Sequence, residues 1–157
     1  MELDIILKQL QKKKIFVISA LHEETNNSSQ IIHSGVGKVN AALCVMRVIM
    51  EKKPLKIINY GTAGKINIKL NGLVNCTKFI QHDIDASPLG FSRGETPYDE
   101  VSDINFSNDG FVCASGDNFV TNNKDIKADV VDMEAFSIAK ACFLNNIEFE
   151  CLKYITD

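Results

Sequence analysis

The sequence lacks the features that mark several classes of protein. It contains no tryptophan, three prolines and nine glycines among 157 residues, while 45% of its residues are hydrophobic. This composition excludes collagen-like, low-complexity and wholly disordered chains. Its apolar runs are far shorter than the roughly 20 residues that span a bilayer, and the acidic start over residues 1–4 is unlike a secretory signal. We therefore expect no membrane segment and a single globular domain over residues 1–157.

Positive charge and metal-ligand patterns are also scarce. Seventeen lysines and arginines oppose twenty acidic residues, giving a net charge of −3, so nucleic acids and membranes are poor partners. The five cysteines form no C-x-x-C pair, and the three histidines have no metal-ligand spacing. We expect no metal, no cofactor and reduced thiols in a cytoplasmic protein.

Hydrophobic periodicity predicts alternating helices and strands. The predicted helices cover 2–13, 39–52 and 132–145, and the predicted strands cover 15–19, 30–33, 56–60, 73–80, 111–114 and 149–155. This alternation predicts a three-layer α/β fold, with a central mixed, partly parallel sheet flanked by helices. In the helix 39–52, the apolar pattern predicts a core-facing side made of Val39, Ala42, Leu43, Met46, Ile49 and Met50.

Polar residues stand where three predicted strands end. Glu23 and Glu24 follow the strand 15–19, a turn at 61–64 follows the strand 56–60, and Asp157 follows the last strand. Ligands in open α/β sheets bind beyond the carboxyl ends of the strands, so these residues would share one crevice if the strands are parallel neighbours. Glu134 opens the most apolar helix, a position that the helix dipole alone would also favour.

Six segments occur in an order that resembles the nucleoside phosphorylase superfamily, and within it the bacterial methylthioadenosine/adenosylhomocysteine nucleosidases. They are Gly35–Ala42, Asn59–Gly64, His82–Asp85, Ser115–Val120, Val131–Ala135 and Tyr154–Asp157. Each motif is weak alone, but their order is specific. The resemblance covers residues 15–157 and implies a nucleoside phosphorylase-like fold. It makes the helix at 1–14 an addition and places Asp157 where relatives continue into a further helix.

The resemblance implies hydrolysis of the bond between a purine N9 and ribose C1′, with adenine as the product. It assigns protonation of the purine N7 to Asp157 and placement of the attacking water to Glu24. Glu134 would hold the ribose hydroxyls, with Met133 packed against the sugar, and Phe119 would stack on the purine. An acid on the leaving group contributes about 10²–10⁴-fold, and carboxylates stabilise an oxocarbenium-like centre.

The resemblance also assigns residues that line the site without chemical roles. The backbone of Val120 would read the purine edge, and the sugar and base would lie along Thr62, Ala63 and Gly64. The 5′ substituent would lie near Leu21 and Val36. A loop from the other subunit of a homodimer would cover the 5′-alkylthio group with Leu89, Phe91 and Pro97.

The choice between water and phosphate as nucleophile depends on arginines. The chain has two, Arg47 and Arg93, and a phosphate dianion is poorly held without a guanidinium cluster. We therefore expect a hydrolase. Two alternatives stay open at this point: another purine nucleoside hydrolase or phosphorylase, and a non-catalytic nucleoside-binding or dimerisation module.

Overall fold

A computed structural model describes residues 2–156 of the chain. All strands of this part belong to one mixed sheet, and three α-helices pack on it. The strands are β1 Ile15–Ser19, β2 Ile32–His33, β3 Lys56–Lys65, β4 Leu73–Gln81, β5 Ile104–Asn105, β6 Phe111–Ser115, β7 Val130–Asp132 and β8 Glu148–Ile155. The helices are α1 Glu2–Lys12, α2 Lys38–Lys52 and α3 Ala135–Leu144, with short 3-10 turns at His22–Thr25 and Ser87–Leu89. The predicted α/β class is confirmed.

Five of the strands close into a ring. β3 pairs with β7, β7 with β6, β6 with β4, β4 with β8, and β8 again with β3. β1 and β2 extend the sheet beyond β3, and β5 extends it beyond β4. The ring strands and α3 share one apolar cluster, in which Phe79, Cys113, Val130 and Cys151 are wholly buried.

β1, β3 and β8 are parallel neighbours, as the crevice prediction requires. The predicted turn at 61–64 is wrong, because β3 continues through these residues to Lys65. Its partners explain the difference. β8 pairs with β3 from Lys56 to Ala63, and β7 pairs with Gly64 and Lys65. Strands β8 and β7 therefore form hydrogen bonds with the backbone of residues 61–65, where the glycines alone predict a turn.

The predicted core side of α2 is also wrong. Ala41, Val45 and Val48 are the buried residues of this helix, whereas Leu43 and Met50 are 64% and 72% exposed. The buried side packs on β1, β3 and α3 through a second apolar cluster. Because α2 is apolar on two sides, its periodicity does not tell which side faces the sheet.

The two short strands β5 and β7 were not predicted from the sequence. The start of α3 was predicted at residue 132, whereas the helix begins at Ala135. Residues 130–132 are held as a strand by pairing with β3 and β6. The Asp132 carboxylate then accepts a hydrogen bond from the Ala135 amide at 2.8 Å, which satisfies a free N–H at the start of α3. None of the described helices is long and apolar enough to cross a membrane.

Candidate active site

A cavity of about 230 Å³ lies at the carboxyl ends of β1 and β3. It brings together ten of the predicted site residues: Leu21, Glu24, Val36, Thr62, Ala63, Gly64, Phe119, Val120, Met133 and Glu134. Ala20, Asn118, Val131, Asp132 and Thr156 complete its lining. Asp157, the predicted acid, lies outside the described residues.

Glu24 enters the cavity from the 3-10 turn after β1. Its Oε2 accepts hydrogen bonds from the Ser19 hydroxyl at 2.8 Å and from the Leu21 amide at 3.1 Å. Its Oε1 accepts from Thr62 on β3, at 3.0 Å from the amide and 2.8 Å from the hydroxyl. Four donors from two strands and one turn therefore fix this carboxylate in one position.

These donors decide the charge of Glu24. Burial acts most strongly and raises its pKa, but the hydrogen bonds from Thr62, Ser19 and Leu21 together hold the pKa of Glu24 below its ordinary value. Hydrogen bonds to the charged form of an acid always act in this direction. Glu24 is therefore ionised at neutral pH.

Glu134 has a different environment at the start of α3. The side chain is buried, and its Oε2 accepts one hydrogen bond, from the Gly37 amide at 2.8 Å. Burial raises the pKa of Glu134 to about 7, with further contributions from the charges of Asp132 and Glu24. At neutral pH both its protonated and its ionised form are thus populated.

A buried ion pair lies behind these two glutamates. Lys153 Nζ on β8 is 3.0 Å from Asp132 Oδ2, and the two side chains are 2% and 1% exposed. Asp132 also accepts a hydrogen bond from the Ser115 hydroxyl. Burial raises the pKa of Asp132, but Lys153 and these donors lower it overall. Both partners are therefore charged inside the sheet.

Gly61 on β3 separates this ion pair from Glu24. A Cβ at Gly61 would lie 3.3 Å from Lys153 Nζ and 3.4 Å from Glu24 Oε1. Any side chain at this position would push the ammonium or the carboxylate aside. The absence of a side chain at Gly61 therefore leaves room for both charged groups beside β3.

The far wall of the cavity is apolar. Phe119 is 88% exposed and lines the cavity beside Val120. Leu21 and Val36, at 43% and 42% exposure, contribute further apolar surface. An exposed aromatic ring beside carboxylates is suited to a flat, polar-edged ligand.

The predicted cover residues lie elsewhere. Leu89, Phe91 and Pro97 do not line this cavity within the chain, and Leu89 is 72% exposed. Phe91 packs edge-on against Tyr98, with ring centroids 6.0 Å apart. Their predicted place is in the site of another subunit, so that prediction stays open.

Sequence reasoning missed the residues behind the cavity. Ser19, Asp132 and Lys153 were not predicted to belong to the site, yet Ser19 donates a hydrogen bond to Glu24, and the buried Lys153–Asp132 pair lies near Gly61, next to Glu24. The signal for Lys153 was a lysine in the middle of the apolar strand 149–155. A lysine is almost never fully buried unless it is paired, so that position indicated a buried acidic partner.

Neither arginine lines the cavity. Arg47 is exposed on α2, and the Arg93 Nε donates to the His82 carbonyl at 3.0 Å, in a different cleft. Among residues 2–156, no cluster of three or more histidine, cysteine or acidic side chains is arranged to hold a metal ion. The described cavity therefore presents acidic, hydroxyl and apolar groups.

Comparison with known proteins identifies the family of the chain. The profile of the family described as Phosphorylase superfamily matches residues 21–110. The chain belongs to the phosphorylase superfamily. The matched segment contains Glu24, Gly37 and Thr62.

Two similar proteins from different bacteria carry the same name. The 5'-methylthioadenosine/S-adenosylhomocysteine nucleosidase of Buchnera aphidicola subsp. Acyrthosiphon pisum (strain Tuc7) is 29% identical over 196 aligned positions, covering 92% of this chain and 84% of its own length. The protein of the same name from Haemophilus influenzae (strain PittEE) is 30% identical over 155 positions, covering 81% and 67%.

Solved structures of two bacterial enzymes have the same fold. A futalosine hydrolase mutant of Helicobacter pylori strain 26695 superposes with a TM-score of 0.81 at 22% identity, covering 90% of this chain and 88% of that one. The Campylobacter jejuni 5'-methylthioadenosine/S-adenosyl homocysteine nucleosidase gives 0.81 at 21% identity, covering 92% and 86%. At these identities the likeness establishes the fold.

Proposed function

We propose that the chain is an N-glycosyl hydrolase that cleaves 5′-methylthioadenosine or S-adenosylhomocysteine and releases adenine. The observation that carries the proposal is the cavity itself, in which an ionised Glu24, a buried Glu134 and the bare ring of Phe119 converge. The shared name of the relatives at 29–30% identity supports the choice of substrate.

The two glutamates would act on different parts of the reaction. Cleavage leaves positive charge on the ribosyl centre, and the fixed carboxylate of Glu24 would stabilise that charge and orient the attacking water. Because four protein donors already fill its acceptor positions, the water would replace one of them or bind through the exposed Thr62 hydroxyl. A low pKa makes Glu24 a weak base, so it would act mainly through charge and position.

Glu134 would bind the ribose hydroxyls in its ionised form, with Met133 against the sugar. Phe119 would stack on the purine, while the backbone of Val120 meets its edge. Asp157, which follows the cavity residue Thr156 in the chain, would protonate N7 of the leaving adenine. These roles rest on the resemblance and on the placement of the first four residues around one cavity.

The test is adenine release from methylthioadenosine by the purified chain, with and without inorganic phosphate. We expect equal rates in both and free methylthioribose as the second product. A requirement for phosphate, with a ribosyl 1-phosphate as product, would make the chain a phosphorylase. Adenine binding without turnover would make it a binding module.

We further propose that the active form is a cytoplasmic homodimer. α2 exposes a row of large apolar side chains, Val39, Leu43, Met46 and Met50, at 37–72%. Contiguous apolar surface of this kind marks an interface, and identical subunits commonly pair through the same patch. Five free cysteines, four of them buried, fit a reducing compartment.

Sedimentation equilibrium of wild type and Leu43→Glu tests the dimer. We expect a dimeric wild type and a monomeric variant, with Lys52→Glu on the same helix as a control that stays dimeric. A monomeric wild type would contradict the proposal.

In the dimer, Phe91→Ala should impair hydrolysis of methylthioadenosine more than that of adenosine. Equal losses would mean that Phe91 does not cover the 5′-alkylthio group.

A further inference from the structure

Three sequence motifs meet outside the cavity, through charged side chains that line none of it. Lys38 begins α2, Asp83 follows β4, and Asp117 follows β6. Lys38 Nζ lies 2.6 Å from Asp83 Oδ1 and also donates to Gln81 Oε1 at 2.7 Å. Asp83 and Asp117 are thus drawn to the first turn of α2 from two separate loops.

Lys38, Asp83 and Asp117 form a closed ring of contacts. The other oxygen of Asp83, Oδ2, accepts from the Asp117 amide at 2.8 Å, and Asp117 Oδ1 accepts from the Lys38 amide at 2.8 Å. The side chains of Lys38 and Asp83 are only 14% and 16% exposed. Burial raises the pKa of Asp83, but Lys38 and the Asp117 amide lower it overall, so this carboxylate is ionised at neutral pH.

This ring of contacts is connected to the cavity lining at two places. On one side, Gly37 donates its amide to Glu134 Oε2 at 2.8 Å. Gly37 has φ +100°, and a Cβ there would lie 3.3 Å from Asp117 Oδ1, so Asp117 packs closely against it. On the other side, Asp117 immediately precedes 118–120, which line the cavity.

We propose that Lys38 and Asp83 are positioning residues whose ion pair holds the Gly37 amide on Glu134 and fixes the segment 118–120. They set the affinity for the nucleoside without touching it. The identity of the ligand as a nucleoside rests on the proposed function, whereas the positioning of Glu134 does not.

Loss of either partner of the ion pair would disturb both contacts with the cavity. Without the Lys38 ammonium, the Asp83 carboxylate is a partly buried charge with no counterion, and its loop must move to regain water. The Asp117 amide then loses its acceptor, and the turn that aims Gly37 at Glu134 loosens. Glu134 would keep its proton to higher pH, because the Gly37 hydrogen bond lowers its pKa.

Steady-state kinetics of Lys38→Met, Asp83→Asn and the double variant test this proposal. We expect each variant to raise KM for methylthioadenosine about tenfold, the size of a lost hydrogen bond to a charged group, with kcat nearly unchanged. The double variant should be no worse than either single one, because both remove the same pair. Lys38→Arg, which keeps the charge, should recover most of the affinity.

The matched control is Lys56→Met. Lys56 forms an ion pair with Glu150 at 2.8 Å and is 23% exposed, but it lies at the opposite end of β3 from Thr62. Its loss should leave KM unchanged. A KM effect of Lys38→Met no larger than that of Lys56→Met would overturn the proposal.

Nuclear magnetic resonance of the Gly37 amide tests the positioning without any substrate. In the wild type, the Gly37 proton should exchange slowly and its chemical shift should follow the titration of Glu134. In Lys38→Met, or in Asp83→Asn if the first variant does not fold, exchange should be at least about tenfold faster and the titration shift smaller. Unchanged exchange in a folded variant would refute the positioning role, and a wild type that releases no adenine would refute the proposed function alone.

Discussion

Glu24 and Glu134 line the same cavity, but their carboxylates have opposite pKa shifts. Glu24 is half-buried and accepts four hydrogen bonds, whereas Glu134 is buried and accepts one. The pKa of Glu24 therefore falls below its ordinary value, and that of Glu134 rises to about 7. Within this site, the supply of donors decides the charge of an acid as strongly as its burial does.

Because of this difference in pKa, two glutamates in one cavity can have different roles. A permanently charged carboxylate stabilises developing positive charge at any pH near neutrality, whereas one with a pKa near 7 changes its binding with pH. Pairs of acids with divergent pKa values are typical of catalytic sites. Substitutions that remove one charge at a time can break this division of roles.

The largest effect is expected from Glu24→Gln. The amide keeps the size of the side chain but loses the charge, and its NH₂ group cannot accept from the Leu21 amide. We expect adenine release to fall by about 10²–10⁴-fold, the range for a positioned catalytic group. The measurement is single-turnover adenine release, and a wild-type rate would remove Glu24 from the chemistry.

Lys153→Met should give the next largest effect, on stability. It leaves the Asp132 carboxylate buried without a counterion, which costs about 3–5 kcal/mol of unfolding free energy. The Lys56→Met control, which removes a more exposed pair, should cost less than about 1 kcal/mol. Urea denaturation compares the two, and equal losses would mean that Lys153 compensates no buried charge.

Glu134→Gln should change how stability depends on pH. The folded state raises the pKa of Glu134 from about 4.3 to about 7, so it binds the proton more tightly than the unfolded chain does. Wild-type stability should therefore fall as pH rises from 4.3 to 7, by roughly 3 kcal/mol relative to the variant. Thermal unfolding at pH 5 and pH 8 measures this difference, and parallel curves would contradict the raised pKa.

Ser19→Ala should produce the smallest change. It removes one of the four donors to Glu24, at a cost of about 1 kcal/mol, and should move the acidic limb of the activity profile upward by raising the pKa of Glu24. Ser34→Ala is a suitable control, because the Ser34 hydroxyl donates at the same 2.8 Å to a neutral carbonyl. A shift of the activity profile in Ser34→Ala, without one in Ser19→Ala, would refute the role of the Ser19 hydroxyl in lowering the pKa of Glu24.

The helices and strands that could be predicted are those with a clear apolar pattern in the sequence. β1 is a nearly continuous apolar run and β3 has the apolar pair Ile57 and Ile58 near its start, and their parallel pairing follows from the strand–helix alternation. The exposed side of α2 could not be identified, because Leu43 and Val45 are equally apolar and only the tertiary packing distinguishes them. β7 has three residues, too few for any periodic signal.

The site was predictable where residues belong to recognisable motifs, and less so where contacts are long-range. Glu24, Thr62 and Glu134 were named from the sequence and do line one cavity. The Lys153–Asp132 pair joins residues 21 positions apart on strands that are not neighbours, so no local pattern encodes it. The role of Asp157 remains a prediction.

The central position of β8 has a consequence for how the chain folds. β8 pairs with β3 over eight residues and with β4 over four, yet every other described strand precedes it along the chain. During synthesis, the sheet therefore cannot close until residues 148–155 have left the ribosome. Before then β3 and β4 present open edges, and folding must wait for contacts about 90 residues apart in sequence, which slows it.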